Sequence, residues 1–182
     1  MILRTALRLL IAQGYDGMSI EGVAAAAGVG KPTIYRRYPS KRELVVAAVS
    51  SLAASLPAPP DTGDVRADLL AFLEPAFGVF QGGVGFAMLG ALLVKERDDP
   101  ALMDLFRSRI VRPRMHMVAE IVRRGVDRSE LRSDAPIEAA VQMIAGAIFA
   151  HHAADQPADA NWLRVVIDAL WQGLAVREPR SA

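Results

Sequence analysis

The chain has 182 residues, 52% of them apolar, enough for one ordinary domain or a small domain joined to a larger one, and too apolar for extensive disorder. Cysteine is absent, which excludes disulfides, thiolate metal sites and cysteine nucleophiles and suits a reducing cytoplasm. The net charge of +1 hides an asymmetry: residues 1–50 hold seven Lys/Arg against three Asp/Glu (+4) and the remainder 14 against 17 (−3), so an anionic partner is expected at the first quarter.

Leu3, Ala6, Leu7, Leu10 and Ile11 recur at helical spacing, and Gly14 is placed to stop this first helix. Arg4, Arg8 and Gln13 interrupt its apolar residues, so no signal peptide is expected. A short second helix fits Ile20 to Ala27, capped by Ser19 and followed by Gly28 as a left-handed turn residue. Pro32 suits the first turn of a third helix, and Pro39 ends it. Ser40 and Glu43 then form a capping box that opens a fourth helix through Leu44, Ala48 and Leu52.

The stretch PAPPDTG, Pro57 to Gly63, reads as a linker or rigid bend. Further helices are expected over about 64–80, 84–96, 99–125, 136–153 and 160–177, and Pro113 should kink or divide the third of them. Alternating strand patterns and internal repeats are absent, which predicts an all-α protein of about nine helices. Pro75 to Val94 carries no charge, but Gly82-Gly83 would break it near the middle, so buried helices are expected there and not a membrane span.

The stretch GVGKPTIYRRYPSK, Gly28 to Lys41, allows two readings. A nucleotide phosphate loop needs G-x-x-x-x-G-K-[ST] after a strand; here the first glycine position is Ala25, the Ser/Thr position is Pro32, and a helix precedes. That reading fails. In a helix-turn-helix, Ala24, Gly28 and Ile34 take the roles of small crossing residue, turn glycine and apolar anchor. With Ile34 facing inward, Pro32, Thr33 and Arg36 point outward, with Tyr35 and Arg37 on the flanks. Arginine can fork onto guanine or phosphate, while Lys31 and the Thr and Tyr hydroxyls reach phosphates.

GYDGMSIEGVAAAAGVGKPTIYRRYPSKRELV closely resembles the DNA-binding region of TetR/AcrR-family transcriptional regulators, and the match runs almost continuously over residues 2–50. The resemblance implies a helix-turn-helix DNA-binding domain at 1–50 and a larger helical ligand-binding and dimerisation domain at 51–182. It also implies a homodimer, most often a cytoplasmic repressor released from a palindromic operator by a small effector, without cofactor or catalysis. Ser19 would touch phosphate at the start of the second helix, Lys31, Thr33, Tyr35, Arg36 and Arg37 would line the third, and Lys41 would hold phosphate at the fourth. Gly30 and Met18 stand where the family often has hydroxyls, and Arg37 where it often has histidine. The first helix begins almost at Met1, so no long basic arm is expected to reach the minor groove.

In the larger half, Phe72, Phe77, Phe80, Phe86, Met88, Met103, Phe106, Met115 and Met117 offer an adaptable lining for an apolar effector. Ile137, Val141, Ile144, Ala145 and Ile148 form one apolar stripe; Leu163, Val166, Ile167, Leu170 and Leu174 form another. By periodicity alone these are core; the resemblance makes them a dimer interface of four helices. A rival reading uses His116 with Glu120 and His151 with Asp155, two i,i+4 pairs that could surround a metal or serve an enzyme if their helices met.

Overall fold

Ala6, Leu9 and Leu10 share the buried side of α1 (Ile2–Gly17), the first helix of an all-helical chain. The computed structural model describes residues 1–54, 58–81, 84–156 and 161–174, leaving aside the side chains of 53, 79–81, 84, 85 and 88. Gly14 leaves helical geometry at φ +70°, so α1 breaks there, as its glycine predicts. Ser19 caps α2 (Ile20–Ala27) by accepting a hydrogen bond from the Gly22 N–H at 3.0 Å. Gly28 closes α2 in the left-handed region (φ +66°), with Val29 N–H bonded to the Ala24 carbonyl and Gly28 N–H to that of Ala25.

α3 (Lys31–Tyr35) has only five residues and carries Pro32 in its first turn. α4 (Lys41–Ala54) opens on Ser40, whose Oγ accepts from the Glu43 N–H at 3.2 Å. α5 (Val65–Gln81), α6 (Val84–Glu96) and α7 (Pro100–Phe106) follow. A π-helical turn, Arg107–Val111, then leads without interruption into α8 (Arg112–Asp127). α9 (Ile137–Ala153) and α10 (Trp162–Leu174) complete the described helices. Since α7, the π turn and α8 are one unbroken run, the described residues hold nine separate helical segments.

The kink or division expected at Pro113 is thus a widened turn just before it, in a run that stays continuous. Proline has no N–H and its ring crowds the carbonyl four residues before it. The widened turn places the Arg112 N–H on the Arg107 carbonyl, five residues back, and α8 restarts beyond it.

Packing gathers the chain into two compact units, Met1–Leu56 with Gly82–Pro113, and Pro57–Gln81 with Arg114–Ala182. The first unit buries Leu9 and Leu10 of α1, Val23 and Ala24 of α2, Ile34 of α3 and Leu44 and Val45 of α4 in one core. Leu92 of α6 and Leu102, Met103 and Phe106 of α7 join that same core, a tertiary association that the sequence boundary at residue 50 does not anticipate. In the second unit Val122, Leu131, Ala140 and Leu174 pack together, and α5 buries Leu69, Phe72 and Leu73. The expected bend is pinned here: Asp61 pairs with Arg124 at 2.9 Å and Arg128 at 2.5 Å, and buried Asp68 accepts from the Thr62 N–H and hydroxyl. Among the described residues, no helix is long and apolar enough to cross a membrane; Pro75–Val94 takes in the end of α5 and most of α6, and Gly82 and Gly83, where the break is expected, lie outside the described residues.

Candidate nucleic-acid interface

α3 is too short to persist alone, since isolated helices of fewer than about 12–15 residues are marginal in water. Its place is fixed by Ile34, fully buried in the core of the first unit, and by half-buried Val29 and Tyr38 on either side. With that face anchored, Lys31, Pro32, Thr33, Tyr35, Arg36 and Arg37 are exposed. Tyr35 keeps 44% of its surface open to water, much for a large ring, and a phenol held there can lie against a backbone or base edge. The result is a short helix that exposes an ammonium and two hydroxyls, with the two guanidiniums, expected on the helix itself, exposed in the turn that follows it.

Two predicted contacts have protein partners of their own. Lys31 lies 3.4 Å from Glu21, and both side chains are about half exposed. A backbone hydrogen bond first, and then Lys31, hold the Glu21 carboxyl below its usual range. Ser19 spends one acceptor lone pair on the cap, which leaves its O–H able to donate to a phosphate oxygen.

Lys41 is seated more firmly than sequence suggests. Its Nζ lies 4.6 Å from the centre of the Tyr15 ring and donates to the Asp16 carbonyl at 3.3 Å, and burial lowers its pKa. Tyr15, Asp16 and Arg42, which surround it, were not legible as site residues from spacing: Tyr15 and Asp16 lie on the turn after Gly14, 25 residues away for the Lys41–Asp16 bond.

The predicted effector lining is divided between the units. Met103 and Phe106 are buried in the core of the first, where Phe86 is half-buried; Phe72, Phe77 and Met115 belong to the second. Phe106 also lines an apolar cavity of about 10 Å³, far too small for an effector. In the second unit the Arg114 guanidinium lies 4.1 Å from the Phe72 ring centre, and Phe77 and His151 stack on Trp162 at 5.3 and 4.0 Å. The side chains of Phe80 and Met88 lie outside the described residues.

The predicted interface stripe needs correction at three positions. Val141, Ile144 and Ile148 are buried in the chain's own core, while Ile137, Val166 and Leu170 are half-buried. The opposite arc of α9 is apolar too: Met143 and Phe149 stay 53% and 54% exposed, and on α10 Val165 is 56% exposed. The rival metal reading loses its geometry as well. His116 and Glu120 are exposed neighbours at 3.7 Å, His151 is buried against Trp162, and no three candidate ligands gather among the described residues.

Comparison with known proteins agrees with this arrangement. The family model described as "Bacterial regulatory proteins, tetR family" matches residues 2–48, and "Tetracyclin repressor-like, C-terminal domain" matches residues 59–170. The HTH-type transcriptional regulator Rv1556 of Mycobacterium tuberculosis is 38% identical over 134 residues, which are 74% of this chain and 65% of that protein's length. The DNA-binding transcriptional repressor TetR of Mycobacteroides abscessus is 34% identical over 73% of this chain and 70% of its own length. Among solved structures, the TetR family transcription regulator SCO0332 superposes with a TM-score of 0.71 at 29% identity, covering 96% of this chain and 97% of that one. The helix-turn-helix read from Ala24, Gly28 and Ile34, and the helical half that follows it, thus have their counterparts in one place: the chain belongs to the TetR family of bacterial regulatory proteins.

Proposed function

We propose that this chain is a ligand-responsive DNA-binding transcriptional regulator, a homodimeric cytoplasmic repressor without catalytic activity or cofactor. The observation that carries the reading is α3 and the turn after it, anchored through Ile34 and displaying Thr33, Tyr35, Arg36 and Arg37 to solvent. DNA reading is assigned to residues 1–50, and effector binding and dimerisation to residues 51–182. Two copies of α3, spaced about 34–36 Å apart in the dimer, would enter successive major grooves of a near-palindromic operator. The effector is apolar, and in the second unit Phe72, Phe77 and Met115 are its assigned contacts. It acts by preferring the conformation that does not bind DNA, since equal affinity for both conformations shifts nothing.

The test is fluorescence anisotropy of the purified protein on its own upstream intergenic DNA, at several salt concentrations, beside a scrambled duplex. Selective binding with a steep salt slope supports the reading. Absence of binding to pooled genomic fragments, after bound small molecules are stripped, removes it.

The dimer is assigned to the exposed arc of α9 and α10, where Met143, Phe149 and Val165 are interspersed with Ala139, Gly146, Ala150, Ala169 and Gly173. Small residues let helices approach closely, and in a two-fold interface each position counts twice. Met143→Glu combined with Val165→Glu is expected to weaken dimerisation about 100-fold or more, by burying like charges without partners. Sedimentation should then show a folded monomer at micromolar concentration. A double variant that remains dimeric there would move the interface elsewhere.

A further inference from the structure

Asp99 occupies the N-cap of α7, where an aspartate ordinarily accepts a hydrogen bond from the first-turn backbone. It makes no such bond. Both carboxylate oxygens instead accept from the Arg42 guanidinium, at 2.6 and 2.7 Å, across 57 residues of sequence. A local cap is thus given up for a link to the second residue of α4. A parallel link starts one turn earlier in the chain: Lys95, near the end of α6, reaches the Asp16 carboxylate at 2.9 Å and that of Asp98 at 3.2 Å.

Both links converge on Lys41. Asp16 supplies the carbonyl that accepts from the Lys41 ammonium, and Arg42 is its immediate neighbour. Tyr15, whose ring lies under Lys41, lines one cavity with Asp99 and Arg42, and burial followed by the Asp99 charge raises its pKa. All these residues belong to the first compact unit. We propose that Asp99 and Lys95, at the corner between α6 and α7, are positioning residues for DNA binding: through Arg42 and Asp16 they form a polar latch that seats Lys41 for its phosphate. This rests on the DNA-binding reading above, in which Lys41 grips phosphate.

The latch makes a prediction opposite in sign to simple electrostatics. Removing an acid beside a DNA-binding surface should strengthen attraction to the polyanion. If the acids position Lys41, removing them weakens binding instead. The experiment compares Asp99→Asn, Asp16→Asn, Lys41→Met and their pairs by anisotropy on the same upstream duplex over a range of salt, with melting temperatures measured alongside. Each single variant is expected to lose about tenfold in affinity and to lower the salt slope by about 1. Neither acid variant should cost anything further once Lys41 is Met, because the seat then holds no ammonium to position. Asp99→Glu should recover most of the binding.

Asp16 is 73% exposed at its side chain, so its substitution spares the fold even if that of Asp99 does not. Folded acid variants that bind DNA as tightly as wild type, or more tightly, overturn the latch. Losses that simply add to that of Lys41→Met overturn it too. Wild-type binding by Lys41→Met overturns both the latch and the role of Lys41. Loss confined to Lys41→Met overturns the latch alone.

Discussion

Ile34→Ala is expected to destabilise the first compact unit by about 2–4 kcal/mol and to abolish operator selectivity at temperatures where the protein remains folded. Ile34 is fully buried among side chains of α1, α2 and α4, so truncation removes three carbons from a site that collapses only partly. The consequence for α3 is larger than for its neighbours. A five-residue helix has little stability of its own, and Ile34 is its only fully buried side chain. Losing that anchor frees α3 to depart from the geometry that aims Arg36 and Arg37. Tryptophan emission would miss this change, because Trp162 and Trp171 both lie in the second unit while the three tyrosines, at 15, 35 and 38, lie in the first. Hydrogen exchange over residues 20–38 is the suitable measurement. Protection there should fall by about 30-fold or more, the equivalent of about 2 kcal/mol, while α9 and α10 keep theirs. Ile34→Val should cost only about 0.5–1.5 kcal/mol and retain selectivity. Equal protection in the alanine variant and wild type would show that something other than Ile34 holds the helix.

The legible part of this molecule is the part governed by short-range rules. Gly14 breaks the first helix, Gly28 takes the left-handed conformation its position suggests, Ser19 and Ser40 cap the helices that follow them, and Ile34 is the inward residue of α3. Each inference needed only a few neighbouring residues. The association of α6 and α7 with the helix-turn-helix core joins residues far apart in the chain, and the Arg42–Asp99 bond spans 57 positions; a local pattern of caps and periodicity carries no information about such pairings. Pro113 announced a disturbance, but whether a helix answers by kinking, stopping or widening depends on what packs around it.

The stripes of α9 and α10 show a different limit. Periodicity correctly finds residues on one face, as in Val141, Ile144 and Ile148, but α9 carries apolar side chains on its other arc as well. When a helix is apolar on two faces, the sequence alone does not say which faces the chain's own core. Burial shows that Val141, Ile144 and Ile148 do. The His116/Glu120 and His151/Asp155 pairs fail for a related reason: i,i+4 spacing places two groups on one helix face but says nothing of whether two such faces meet, and these place one histidine in water and the other in an aromatic stack.

Arg36→Ala and Lys41→Ala are expected to weaken operator binding in two distinguishable ways. Arg36 is exposed in the turn that follows α3, where a guanidinium can take two acceptors of a guanine edge at once. Its loss should reduce discrimination between operator and scrambled DNA by about 1–3 kcal/mol and relax preference at one base pair in each half-site. Lys41 lies at the start of α4 with its ammonium held over Tyr15, a seat suited to a fixed point charge and not to bidentate base reading. Its loss should lower affinity for operator and scrambled duplexes by nearly the same factor, and reduce the slope of log K against log salt by about 1. In the proposed symmetric dimer each substitution would count twice, so the full-length operator should show about double the free-energy change of a single half-site. Anisotropy titrations on both duplexes at four or five salt concentrations separate the two effects. If both variants lose equally on operator and scrambled DNA, Arg36 is a second backbone contact, and base reading must pass to Thr33, Tyr35 or Arg37. If Lys41→Ala alone relaxes selectivity, the assignment of roles is reversed, and α4, not α3, would be the element that sets where the protein binds.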